Sequence, residues 1–253
     1  MSVLDLSPAP GAAPTGSRVV RHALVEARLL VRNVEQLLLA LVIPLALLVA
    51  GRFLGGRFGD QAVLAPSVLG LAIWSSAFAS VAIATGFERR YGVLERLAAT
   101  PLGKTGLLAG KALAIVLVVV GQLVILTVVA LALGWEPAFT LGSAAAALAL
   151  AVLAIATFTG LALALAGRLR AEVTLGLANL AYVVLLLGGA LIIPLSRYPA
   201  VIQPVVSALP TAALGEGLRS AATGQVLGWP FLVMILWLTA AAAVAGKSFR
   251  WTS

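Results

Sequence analysis

The chain has 253 residues, 62% hydrophobic and 10% charged, with mean hydropathy +1.11 and a formal net charge of +8. Soluble domains carry about 25% charged residues, so these charges are too few to cover a surface, and a soluble enzyme is excluded. The absence of cysteine excludes disulfides, thiolate metal sites and a cysteine nucleophile.

Residues 1–16, with Pro8, Pro10, Gly11, Pro14 and Gly16, read as a flexible tail. They lack the basic start and apolar centre of a cleaved signal peptide. Residues 17–34 read as a helix with Ser17 as N-cap. Val20, Leu24, Ala27, Val31 and Val34 share one face and Arg18, Arg21, Arg28 and Arg32 another. Such a helix lies in the headgroup plane, arginines toward water and anionic lipid. His22, the chain's single histidine, is read as structural.

Long charge-free stretches follow. A spanning helix needs about 20 apolar residues, and six spans are expected at about 35–54, 62–87, 107–133, 141–167, 173–194 and 228–246. Pro44 is expected to kink the first without ending it. The stretch Tyr198–Gly215 holds Pro199, Pro204 and Pro210. Proline lacks a backbone donor and disfavours helix just before it, so the outer segment 195–227 is expected to form short re-entrant or surface helices. Residues 248–253 are read as a C-terminal tail that follows a six-span domain over 35–247.

Basic residues in short loops set orientation. With both termini cytoplasmic, 13 of the 17 Lys and Arg fall inside: Arg18, Arg21, Arg28, Arg32, Arg89, Arg90, Arg96, Lys104, Lys111, Arg168, Arg170, Lys247 and Arg250. Arg52, Arg57, Arg197 and Arg219 fall outside. The basic excess is therefore a topology signal. It is split between short loops and forms no single nucleic-acid-binding face.

The loop 88–106 carries Glu88, Gly92 and Glu95 one and two helical turns apart, with Arg89 and Arg96 on an adjacent line and Leu94, Leu97 and Ala98 as an apolar patch. Thr100 and Pro101 are suited to cap and begin the next helix. This predicts a short amphipathic helix held at the ends of two spans. The stretch resembles the first cytoplasmic loop of ABC-2 type transporter permeases, whose pattern Glu…Gly-x-x-Glu-x-Leu…Thr-Pro is matched by Glu88, Gly92, Glu95, Leu97, Thr100 and Pro101. A Pro-Thr followed by Arg after the fifth span, here Pro210, Thr211 and Arg219 with Glu216 between, is similar too.

The resemblance implies an all-α integral membrane permease of the small bacterial drug- or lipid-exporting type, in the cytoplasmic membrane. It implies a second permease, as homo- or heterodimer, and two copies of an ABC ATP-binding subunit that holds ATP and Mg; no cofactor is expected in this chain. Consistently, Gly103-Lys104-Thr105 lacks the first glycine of a P-loop, Ala98 standing there. The resemblance makes the loop a coupling helix, with Glu88, Gly92 and Glu95 touching the ATPase, and Arg89, Arg90 and Arg96 adding complementary charge. It places the substrate path along spans two and five, where Trp74, Phe78, Asn179 and Tyr182 are the candidate contacts. Further polarity comes from Ser75, Ser76, Thr85 and Gln122, whose simpler role is hydrogen bonding between helices. With the charges read at or beyond the span ends, no ion-coupled carrier is expected, and an apolar or amphipathic substrate suits the path. Two alternatives stand beside this reading: a membrane-embedded enzyme (lipid transferase or intramembrane protease), for which histidine and aspartate are too few, and a non-transporting assembly subunit.

Overall fold

The computed structural model describes residues 11, 13–32, 34–54 and 60–248. Most of the expected tail, Arg57, Arg250 and the rest of 249–253 lie outside the described residues, as do the side chains of Glu35, Lys104 and Lys247. All regular elements among the described residues are helical. They are α1 (Thr15–Arg32), α2 (Val34–Leu54), α3 (Gln61–Trp74), a π-helical segment (Ser75–Ser80), α4 (Val81–Arg90), α5 (Val93–Ala98), α6 (Gly103–Ala132) and α7 (Leu141–Ala166). There follow α8 (Ala171–Gly188), a 3₁₀ turn (Leu195–Arg197), α9 (Gln203–Ser207), α10 (Pro210–Ala222) and α11 (Trp229–Ser248).

Four helices, Gln61–Arg90, Thr105–Ala132, Leu141–Ala166 and Ala171–Gly188, are long and apolar enough to cross a membrane. Shorter apolar stretches, Leu41–Phe53 and Trp229–Ala245, lie in α2 and α11. Helix α2 continues through Pro44.

In lipid, helices associate through close packing of small residues more than through apolar burial. Alanine-rich α7 therefore lies tight against α11, where a Cβ on Gly160 would come within 3.2 Å of the Ala241 methyl. Thr157 Oγ1, within α7, donates to Leu153 O at 2.8 Å and to Met234 O of α11 at 3.3 Å. The start of α7 is fixed by a capping box: Thr140 Oγ1 accepts from Ser143 N, and Ser143 Oγ accepts from Thr140 N. The core gathers Leu71, Trp74, Phe78, Phe158 and Leu214, with a second cluster of Leu48, Leu64, Val68, Leu126 and Trp135. By contrast α8 buries little beyond Ala171, Thr174 and Ala178.

Several expectations are corrected. Helix α1 begins at Thr15, so Ser17 sits in its first turn and is not the N-cap. Its protein-facing side is neither expected face but a third, Val19, His22, Ala23 and Glu26, packed on α6 where Gly106 and Gly110 leave a groove. Val20, Leu24 and Val31 remain exposed, as an interfacial helix requires. The fifth span stops as helix at Gly188 and not at 194, because the chain turns at Gly189 and Ala190 takes φ 51. Of the two forms expected for segment 195–227, re-entrant or surface, α10 is not the second: its residues other than Glu216 and Ser220 are buried, and it packs on α3, α7 and α11. Lys111, counted among the charges at the ends of the spans, lies inside α6 within the third of them and is buried, 7% exposed.

Candidate functional site

The expected single amphipathic helix over the 88–101 loop is broken at Gly92, which adopts φ +66. That left-handed conformation costs other residues about 1–2 kcal/mol. Glu88 and Glu95 consequently sit on different helices and do not form one outward line. Glu88 points inward from α4 and accepts from Lys111 Nζ at 2.6 Å. Arg89 is 7% exposed and donates to the carbonyl of Leu169, while Arg90 pairs with Glu172 at the start of α8. These three residues tie α4 to α6 and α8.

The exposed part is α5. Leu94 is 2% exposed and anchors it between α4 and α6, leaving Glu95 and Arg96 outward beside exposed Tyr91. Thr100 Oγ1 donates to Leu97 O at 2.6 Å and accepts from Leu102 N at 3.4 Å, so it closes the turn containing Pro101. It does not cap α6, which starts at Gly103. Gly103 also takes φ +66, so α5 is a short piece between two left-handed glycines.

Sequence reasoning missed the group behind this piece. Glu26 lies within 3.7 Å of His22 on α1, and a cavity of about 40 Å³ is lined by Glu26, Ser76, Ser80, Glu88 and Lys111. Burial lowers the His22 pKa below its ordinary value; Glu26 opposes this and Lys111 adds to it. The signal was an isolated Lys111 within an apolar helix, one residue after the glycine that admits the His22 ring.

Of the four candidate substrate contacts, three come together. Trp74 stacks on Phe78 with ring centroids 4.3 Å apart, and Tyr182 lies parallel to Trp74 at 6.4 Å. Phe158 meets Trp74 edge-on at 4.8 Å; this lone aromatic in the alanine-rich α7 was not foreseen. The Trp74 Nε1–H is buried and has no hydrogen-bond partner among the described residues. Asn179 is exposed and stands outside the cluster. Ser76 Oγ donates to Gln122 Oε1 at 2.8 Å, the interhelical hydrogen bond expected of such residues.

The motif of Pro210, Thr211, Glu216 and Arg219 forms a buried network. Arg219 Nη1 donates to Ser67 Oγ and Leu191 O at 2.7 and 2.8 Å, and Nη2 to Ala190 O and Glu216 Oε1 at 2.7 and 2.8 Å. Glu216 also accepts from Leu195 N at 2.6 Å. Pro210 occupies the first turn of α10, where its missing N–H costs nothing, and Thr211 is fully buried. Nearby, Gln203, Ser207, Glu216 and Trp229 line a cavity of about 650 Å³.

Long apolar helices in a single bundle, with ionic clusters at the helix ends, define an all-α, multi-pass membrane protein. Residues 56–246, well over half of the chain, match the family described as ABC-2 family transporter protein, and the chain belongs to that family. It is therefore an ABC transporter permease subunit, whose ATPase is a separate partner. No match to a curated protein was found.

Proposed function

We propose that the chain is the permease of an ATP-driven exporter in a bacterial cytoplasmic membrane, both termini cytoplasmic. It pairs with a second permease and with two ATP-binding subunits, which bind ATP and Mg, and moves an apolar or amphipathic molecule, drug-like or lipid. The observation that carries this reading is the exposed α5, anchored by Leu94 and bracketed by Gly92 and Gly103. A short piece with Glu95 and Arg96 exposed at the joint of two spans is suited to receive a push when the ATPases close. Glu95 and Arg96 provide the contact, with Thr100 and Pro101 beside them; Glu88, Arg89 and Arg90 transmit the movement to α6 and α8 through their internal bonds.

Glu95→Lys is expected to abolish co-purification with the ATP-binding subunit, or its stimulation, while membrane insertion is unchanged. Wild-type transport and co-purification in this variant would remove α5 as the docking element.

The substrate route is assigned to the aromatic cluster. Its uncharged rings favour an apolar or amphipathic cargo, and the unpartnered Trp74 indole N–H offers one directional contact. In this reading Asn179, exposed on α8 and outside the cluster, lies toward the second permease. Tyr182→Leu keeps the site apolar but removes a ring; it is expected to weaken substrate stimulation of ATP hydrolysis about two- to tenfold with the basal rate retained. Unaltered stimulation in Tyr182→Leu and Asn179→Leu alike would place the route elsewhere.

A further inference from the structure

We propose that the cavity between the end of α4 and the start of α8 binds the phosphate headgroup of an anionic membrane glycerophospholipid. The cavity measures about 270 Å³ and is lined by Gly86, Arg89, Arg90, Arg170, Ala171 and Glu172. Three guanidinium groups thus face one carboxylate. Guanidinium forks match phosphate oxygens in pairs, and two are already held in place: Arg89, 7% exposed, by the Leu169 carbonyl, and Arg90 by Glu172. Their ordering entropy is spent in folding and not again on binding.

A further feature favours an anion. Arg170 is the N-cap of α8 and provides no side-chain cap, and Ala171 and Glu172 of the first turn line the cavity, so the positive end of an 18-residue helix lies beside it. Pockets for drug-sized molecules run about 300–1,000 Å³, and this one has the size of a headgroup.

The lipid source is argued from what adjoins the charges. Val173, Leu177, Leu180, Val184 and Leu187, exposed at alternating steps of four and three, make an apolar track on α8, the helix whose first turn lines the cavity. Cationic cavity and apolar track together fit a molecule with a phosphate at one end and acyl chains at the other. Basic pockets between spans on the cytoplasmic side are suited to such headgroups. A soluble phosphate, or an acidic patch on a protein, would use the charges and leave the track unexplained. A bound lipid would brace α4 against α8 just before Gly92, and so bias the resting position of α5. The inference depends on the membrane reading of α8, not on the substrate or direction of transport.

The test uses the purified full chain in mild detergent, with bound lipid read by native mass spectrometry after addition of phosphatidylglycerol or phosphatidylcholine. Phosphatidylglycerol is expected to be retained preferentially. Arg170→Gln is expected to reduce that retention about fivefold, and Glu172→Gln to raise it by removing the competing carboxylate. Arg168→Gln removes an exposed arginine of the same loop that does not line the cavity, and is expected to have no effect. Equal losses in Arg168→Gln and Arg170→Gln would mean unspecific attraction and overturn the proposal. So would equal retention of phosphatidylcholine, displacement of the lipid by inorganic phosphate at matching concentration, or an Arg170→Gln defect confined to ATPase binding. A wild-type chain that stays dispersed without detergent would instead overturn the membrane reading.

Discussion

Arg219→Met is expected to be the most destabilising single substitution in this chain. Arg219 is 8% exposed, and its two terminal nitrogens satisfy four acceptors from three parts of the bundle: Ser67 on α3, Glu216 on α10 and the carbonyls of Ala190 and Leu191. Removing one partner of a buried ion pair costs about 3–5 kcal/mol, because the other charge stays behind uncompensated. Two carbonyls lose their donor at the same time, each a further penalty of about 1–3 kcal/mol. Ala190 adds to the effect, since its φ of 51 is a strained conformation held by the bond from Arg219. Arg219→Lys should recover part of the loss, one ammonium being unable to span four acceptors. Glu216→Gln should be milder, because an amide oxygen can still accept from Leu195 N. Thermal unfolding in detergent, followed by size-exclusion fluorescence, would order these variants. An Arg219→Met protein as stable as the wild type would show that the network is dispensable.

The same residues show how far a sequence can be read. The four long apolar helices were legible because charge is excluded from about 20 consecutive residues, a requirement of the bilayer that each of them meets locally. The class of the outer segment was legible from its prolines, but not the burial of α10, which depends on Arg219 meeting Ser67 from 152 residues away. The loop 88–106 was read with the wrong continuity. A helical spacing for Glu88, Gly92 and Glu95 assumes that glycine continues the helix, whereas Gly92 is left-handed and divides an internal brace from an exposed contact. The π-helical segment Ser75–Ser80 also escaped; its three serines gave a composition but no register. The aromatic cluster was partly legible, since Trp74 and Phe78 are one turn apart, while Tyr182 and Phe158 come from other helices.

Lys111→Met is the second large effect, and it separates an ionic role from mere packing. Lys111 is the cation that joins Glu88 at 2.6 Å and faces the cavity shared with Glu26, on a helix otherwise packed through Gly106 and Gly110 against α1. Methionine keeps the stem and removes the charge, leaving two carboxylates at one cavity and Glu88 Oε2 still without a partner. A loss of about 3–5 kcal/mol is expected. Lys111→Met/Glu88→Gln should be more stable than Lys111→Met alone, because it removes the stranded charge. If the double variant is instead as damaged as the sum of both singles, the pair is not coupled.

Acid titration gives an independent reading of the same cluster. The folded-state pKa of His22 is depressed, chiefly by burial, so below the ordinary value of about 6.5 the unfolded chain binds protons that the folded chain refuses. Stability should therefore be complete above that value and fall as the pH drops through the folded pKa. His22→Gln should flatten this part of the profile. Lys111 is one of the charges that holds the pKa down and Glu26 opposes it, so Lys111→Met should make the acid loss smaller while lowering stability at pH 8. A packing role for Lys111 would lower stability equally at both ends of the titration, so the slope, more than the midpoint, identifies the charge as the element that joins α1, α4 and α6 behind the coupling piece.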